Sequence, residues 1–280
     1  MRKRIKPLAF FLFFICFIVF LLINKQISDS AAKQAKATNS QSAQTTANSS
    51  DEEQTSILDE EFINKPVIDI SGWQLPSEID YDILSKNISG VIVRVHSGNQ
   101  AKKENAATHL NGLDKAYKTH ITEFQKRNIP VAVYAYIAAD SEKEMAKEAE
   151  HFYKAASKYE PTYYWLDVEE KTMPDMNAGV EVFRSKLEEL GAKNIGIYVG
   201  TFFMEEHSIS TDKFSAVWIP TYGADDGYYN AAPNTEQEYD LHQYTSQGKL
   251  NGFPHYLDLN QLSPLKDKMQ TYKKLFDNSQ

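Results

Sequence analysis

The sequence has few of the residues that carry metal, redox and nucleophile chemistry. Among its 280 residues there is one cysteine, Cys16, so no internal disulfide can form. That cysteine lies in an apolar run, where it serves as packing or as an acylation site rather than as a nucleophile. The seven histidines are scattered, without an H-E-x-x-H or a pair at ligand spacing, which argues against zinc peptidase or amidase chemistry. His151 and His242 read as ordinary structural histidines. No G-x-S-x-G elbow is present, and no G-x-G-x-x-G or phosphate loop follows an apolar run, so neither a serine hydrolase nor a nucleotide cofactor is indicated. The chain is expected to need no metal and no cofactor. Basic residues number 30 against 38 acidic ones, and this balance disfavours a nucleic-acid partner. The pairs Lys102-Lys103 and Lys126-Arg127 read as solvated faces.

Long hydrophobic runs are also scarce: only Leu8 to Ile23 qualifies, preceded by the basic Met1 to Lys6. This reads as a membrane segment with a cytoplasmic amino terminus and the remainder outside the cell. Small residues at Ser30 to Ala32 make a poor cleavage site, so residues 1–26 are expected to be an uncleaved single-pass anchor, with a secreted protein as the alternative. From Ile27 the composition turns to Ser, Ala, Gln, Thr and Asn, and residues 27–63 read as a flexible tether. Residues 64–280 form the one sizeable domain, read as a monomer.

Within that domain short apolar runs alternate with helical or polar stretches. Eight strands are predicted, at 67–70, 90–95, 130–137, 162–168, 195–199, 216–220, 239–244 and 256–259. Helical periodicity covers 116–127, 141–159 and 178–190, the last closed by Gly191 as its C-cap. Later connections are too short or too polar for full helices. The pattern predicts an α/β fold, an incomplete, TIM-like (β/α)8 barrel with reduced helices in its second half; a doubly wound open sheet is the alternative. In such a barrel chemistry gathers at the carboxyl ends of the strands. Those ends offer Asp69, Arg94 and His96, Tyr134 and Tyr136, Asp167 and Glu169, Tyr198, Trp218 and Tyr222, Gln243 and Tyr244, and Asp258. Carboxylates, amides and aromatic faces converging on one mouth suit a sugar chain, whose rings present apolar C–H faces beside hydroxyls.

The run Tyr163 to Glu170 (YYWLDVEE) is the most telling. In an extended strand Asp167 and Glu169 share a face, with Cα atoms roughly 6.6–6.8 Å apart. Like charges that close raise at least one pKa, as acid catalysis at a glycosidic bond requires. A bare D-x-E more often just ends a strand; its company decides.

That company resembles glycoside hydrolase family 25, the Chalaropsis-type muramidases. Asp69-Ile70-Ser71 is similar to the family's opening D-x-S, and Gly90 to Gly98 resembles its second-strand R-x-x-x-G signature. Leu166 to Glu169 resembles the catalytic D-x-E, and Asp258-Leu259-Asn260 the last-strand D-x-N. Tyr134-Ala135-Tyr136 departs from a Tyr-His-Phe seen in many members. The resemblance implies cleavage of the β-1,4 bond between N-acetylmuramic acid and N-acetylglucosamine in peptidoglycan glycan strands. It assigns Glu169 as the general acid among Asp167, Asp69 and Asp258, and net retention assisted by the substrate's acetamido group is expected. The alternatives are a non-catalytic wall-binding module and a hydrolase of another N-acetylated glycan such as chitin.

Overall fold

The computed structural model describes residues 60–98 and 104–277. The expected membrane segment, Cys16, Lys102-Lys103 and nearly all of the tether lie outside the described residues. Among the described residues no helix is long and apolar enough to cross a membrane.

Eight strands close a barrel in chain order: β1 (Val67–Ile70), β2 (Gly90–His96), β3 (Val131–Tyr136), β4 (Tyr164–Val168), β5 (Ile195–Val199), β6 (Ala216–Pro220), β7 (Leu241–Gly248) and β8 (Leu257–Leu262). The first seven run parallel, and β8 is antiparallel to both β7 and β1. Most strands are buried on both faces because side chains alternate between two cores. Outward residues such as Val91, Val93, Leu166 and Ile197 pack under the helices, while Ile92, Trp165, Tyr198, Trp218 and Leu241 fill the interior. The interior is largely aromatic: Tyr163 stacks on Trp165, and Trp218 meets both Trp165 and Tyr198 edge-on.

The helices thin out along the chain. After the single turn α1 (Tyr81–Leu84) come α2 (Tyr117–Gln125), α3 (Glu142–Ala156) and α4 (Met176–Leu190), then the short α5 (Thr201–Glu206) and the terminal α6 (Lys268–Phe276). Ser141, Asp175 and Asp267 cap α3, α4 and α6 through their side chains, and Gly191 ends α4 at φ 104°. Periodicity had not marked α6. It lies beneath the barrel, where its Leu275 and Phe276 join the interior core and Phe276 presses on Gly90.

Two strands run longer than their apolar runs. β7 continues through Thr245-Ser246-Gln247 past irregular pairing, where Asp225 accepts from Thr245 Oγ1, Ser246 N and Ser246 Oγ at 2.8 Å each. β8 continues to Leu262 because Asn260 and Leu262 still pair with β7.

Candidate active site

The upper barrel holds a cavity of about 160 Å³ with a strongly polar lining. Asp69, Asp167, Glu169 and Asp258 all face it, together with Tyr134, Tyr198, Trp218, Tyr222 and Gln243. Strand register accounts for this meeting: Asp167 stands level with Tyr136 on one side and Tyr198 on the other, and Asp69 stands opposite Asp258. Because β8 is reversed, Asp258 sits at the amino end of its strand and still reaches the mouth formed by the carboxyl ends of the others.

The remaining expected site residues lie around or away from this cavity. Arg94 does not line it: its guanidinium pairs with the buried Asp114, with Nε and Nη2 each 3.1 Å from Oδ2. Tyr136 is at the rim and donates to Glu170 Oε2 at 2.9 Å. Tyr244 lies on the outer face of β7, ringed by Tyr229 and His242, and does not reach the cavity. His96 is fully buried outside it; burial, then the nearby His151, lowers its pKa to about 4, and its Nδ1 accepts from Gly98 N.

One network fixes the floor. Tyr198 and Tyr222 both donate to Gln243 Oε1, at 2.8 and 2.6 Å, which turns the Gln243 amide nitrogen onto Asp69 Oδ1 at 2.9 Å. From the other side Trp218 Nε1, which can only donate, binds Asn260 Oδ1 at 2.8 Å, so Asn260 also presents its nitrogen to Asp69, at 2.8 Å. Asp258 supplies a third hydrogen bond to Asp69, and the pair therefore shares one proton, held on Asp258. Burial, then the Asp69 charge, raises Asp258 to about 8. Burial also raises Asp69, against which its amide partners work.

Asp167 and Glu169 differ in setting. Asp167 is buried, its pKa raised well above the usual range by burial and then by the charges of Glu169 and Asp69, with Arg94 opposing. Its Oδ1 is buried without a hydrogen-bond partner. Glu169 is exposed at the mouth, one residue beyond β4; crowding there, then Asp69 and Glu170, raises its pKa. Burial and the neighbouring Glu169 charge therefore both favour the protonated form of Asp167. Among the described residues no group of histidine, cysteine and carboxylate side chains is arranged to hold a metal ion.

One contributor entered the sequence reading only as part of the D-x-N motif, and another escaped it. Asn260 had its signal, two residues from Asp258 and hence on the same face. Asp114 had none: it lies in the connection before α2 and joins Arg94 to Gly72 N at 2.7 Å and Ala116 N at 2.8 Å, contacts made by folding alone.

The family model for glycosyl hydrolases family 25 matches residues 68–253. The structure is similar to that of a Streptococcus pneumoniae virulence factor, GHIP, described as a glycosyl hydrolase 25 participating in host cell invasion. The two share 63% identity over 80% of this chain and 97% of the other, with a TM-score of 0.77. The catalytic domain of endolysin ply40 from bacteriophage P40 of Listeria monocytogenes is 26% identical, covering 75% of this chain and 97% of that one at TM-score 0.63. The modular autolysin LytC of Streptococcus pneumoniae, at 21% identity, covers 71% of this chain and 46% of its own with TM-score 0.57, a likeness of fold. No curated protein matches the chain.

Proposed function

The chain belongs to glycosyl hydrolase family 25 and is thus a glycosidase, and on that premise we propose that it is a lysozyme cutting the β-1,4 bond between N-acetylmuramic acid and N-acetylglucosamine. The observation that carries this reading is the bare buried Oδ1 of Asp167 beneath the exposed carboxyl of Glu169. A 2-acetamido N–H entering the cavity would donate to that oxygen. Such a bond favours the charged form of Asp167, whose proton then passes to Glu169. Substrate binding itself thus arms the acid.

Glu169 then protonates the glycosidic oxygen as the C1–O bond breaks. The acetamido carbonyl oxygen bonds to C1 from the opposite face, and the Asp167 charge steadies the cationic ring that results. In the second half Glu169 takes a proton from water, whose oxygen bonds to C1 and displaces the acetamido oxygen. Two inversions give net retention. Asp69 is held in place by hydrogen bonds from Gln243 and Asn260, which favour its charged form against burial.

The experiment is digestion of purified peptidoglycan followed by proton magnetic resonance. Glu169→Gln should lower the rate by about 10²–10⁴-fold while glycan binding persists. Wild type should first release the β-anomer with new muramic acid reducing ends. Initial α-anomer, or cleavage of chitin oligomers in preference to peptidoglycan, would overturn the reading. We place the protein at the membrane as a monomer, its domain on the wall side, on the strength of the basic flank and apolar run at residues 1–26. Full-length protein in the membrane fraction is the expected result, and a shortened species found only in the medium contradicts it.

A further inference from the structure

The mechanism leaves Glu170 unused, although Glu170 is the charged group chemically closest to the acid along the chain. The sheet ladder ends just before the two glutamates: its last bond there is Ile137 N to Asp167 O at 2.9 Å, and β4 stops at Val168. Past that point side-chain hydrogen bonds tie the connection to the β3 side. Tyr136 Oη donates to Glu170 Oε2 at 2.9 Å, and Thr172 Oγ1 donates to Ala139 O at 2.5 Å. An exposed glutamate would ordinarily sweep through solvent. This one is tied to a half-buried phenol that itself faces Asp167 and Glu169.

Resting on the function proposed above, we propose that Glu170, clamped by Tyr136, is a positioning residue whose fixed negative charge holds Glu169 in its proton-donating form. The other groups around Glu169 show why a clamp is useful. From β4 comes Asp167, from β1 Asp69, and from β8 Asp258, which keeps its own proton; all three answer to the substrate or to one another. The phenols of Tyr198 on β5, Tyr222 after β6 and Tyr136 on β3 are kept neutral by burial. The cation Arg94 on β2 is committed to Asp114 and acts on Asp167. Gln243 on β7 is uncharged. Glu170, the next residue after Glu169, is the carboxylate of this group whose partner in the structure is a phenol rather than another acid.

Glu170→Gln keeps an acceptor for Tyr136 and removes only the charge. The alkaline limb of kcat/KM against pH, measured on purified peptidoglycan, should move down by about half a pH unit, a rate loss of about threefold on that limb, with the acid limb unmoved. Because Glu170 is exposed, high salt should shrink the displacement. Tyr136→Phe keeps the charge but frees it, and should move the same limb less. An alkaline limb that stays in place in Glu170→Gln overturns the inference, as does a larger displacement in Tyr136→Phe than in Glu170→Gln. Full activity in Glu169→Gln would instead overturn the function on which the inference rests.

Discussion

Asp258 illustrates how a single side chain trades stability for a site. Its pKa lies near 3.8 in an unfolded chain and about 8 in the fold, so the folded protein binds that proton more tightly. Between those values the folded state holds more protons than the unfolded state, and stability therefore falls as pH rises. Asp258→Asn keeps a donor for Asp69 with no proton to lose. Thermal unfolding across pH 4 to 8 should show the variant gaining on wild type as pH rises, by roughly 10 °C near neutrality, since about 4 kcal/mol of linkage accrues by then and roughly 2–4 °C follows each kcal/mol at this size. Its lysis rate should fall, though less than that of Glu169→Gln. Asp258 was legible in the sequence as a member of a motif, and so were Asp69, Asp167 and Glu169. What escaped was direction. Tyr244 looked like Gln243 in composition and place, but alternation sends neighbours to opposite faces, and the parity of β7 is set by Leu241 entering the interior core. Asp114 escaped because no local pattern announces a carboxylate that ties three distant segments together.

At the scale of elements, strands buried on both faces announce themselves as apolar runs, and β1, β5 and β6 occupy the predicted ranges. The elements that did not announce themselves depend on partners elsewhere. The polar tail of β7 persists through its bonds to Asp225, and α6, rich in lysine, is helical through a sparse set of apolar contacts under the barrel. The β7–β8 hairpin is a similar case. Gly252 turns there at φ 104° with its carbonyl accepting from Asp80 N at 2.8 Å, and a Cβ at that position would lie 2.4 Å from Leu84 N. Gly252→Ala should therefore lower stability by more than about 1 kcal/mol in urea unfolding, through both the strained φ and the contact with α1. An unchanged midpoint would mean the hairpin can lift away from α1 without loss.

At the scale of the molecule, the barrel has one working face and one face where the chain is fastened. Phe62 meets Tyr272 edge-on, Ile63 is buried, and Lys268 Nζ binds Asn64 Oδ1 at 2.9 Å, all at the end opposite the mouth. A protein begun at Lys65 should be less stable than one begun at Glu60 by about 1.5–3 kcal/mol, the worth of burying one isoleucine, yet should keep its pH profile. The reversed β8 is what brings entry and exit together. It brings the end of β8 beside the start of β1, behind the barrel. What specifies the catalyst is then the cyclic order of the strands, not the point at which the chain is opened. A circular permutant joined behind the barrel and opened in the exposed turn at Glu160 would carry every mouth residue in its present register.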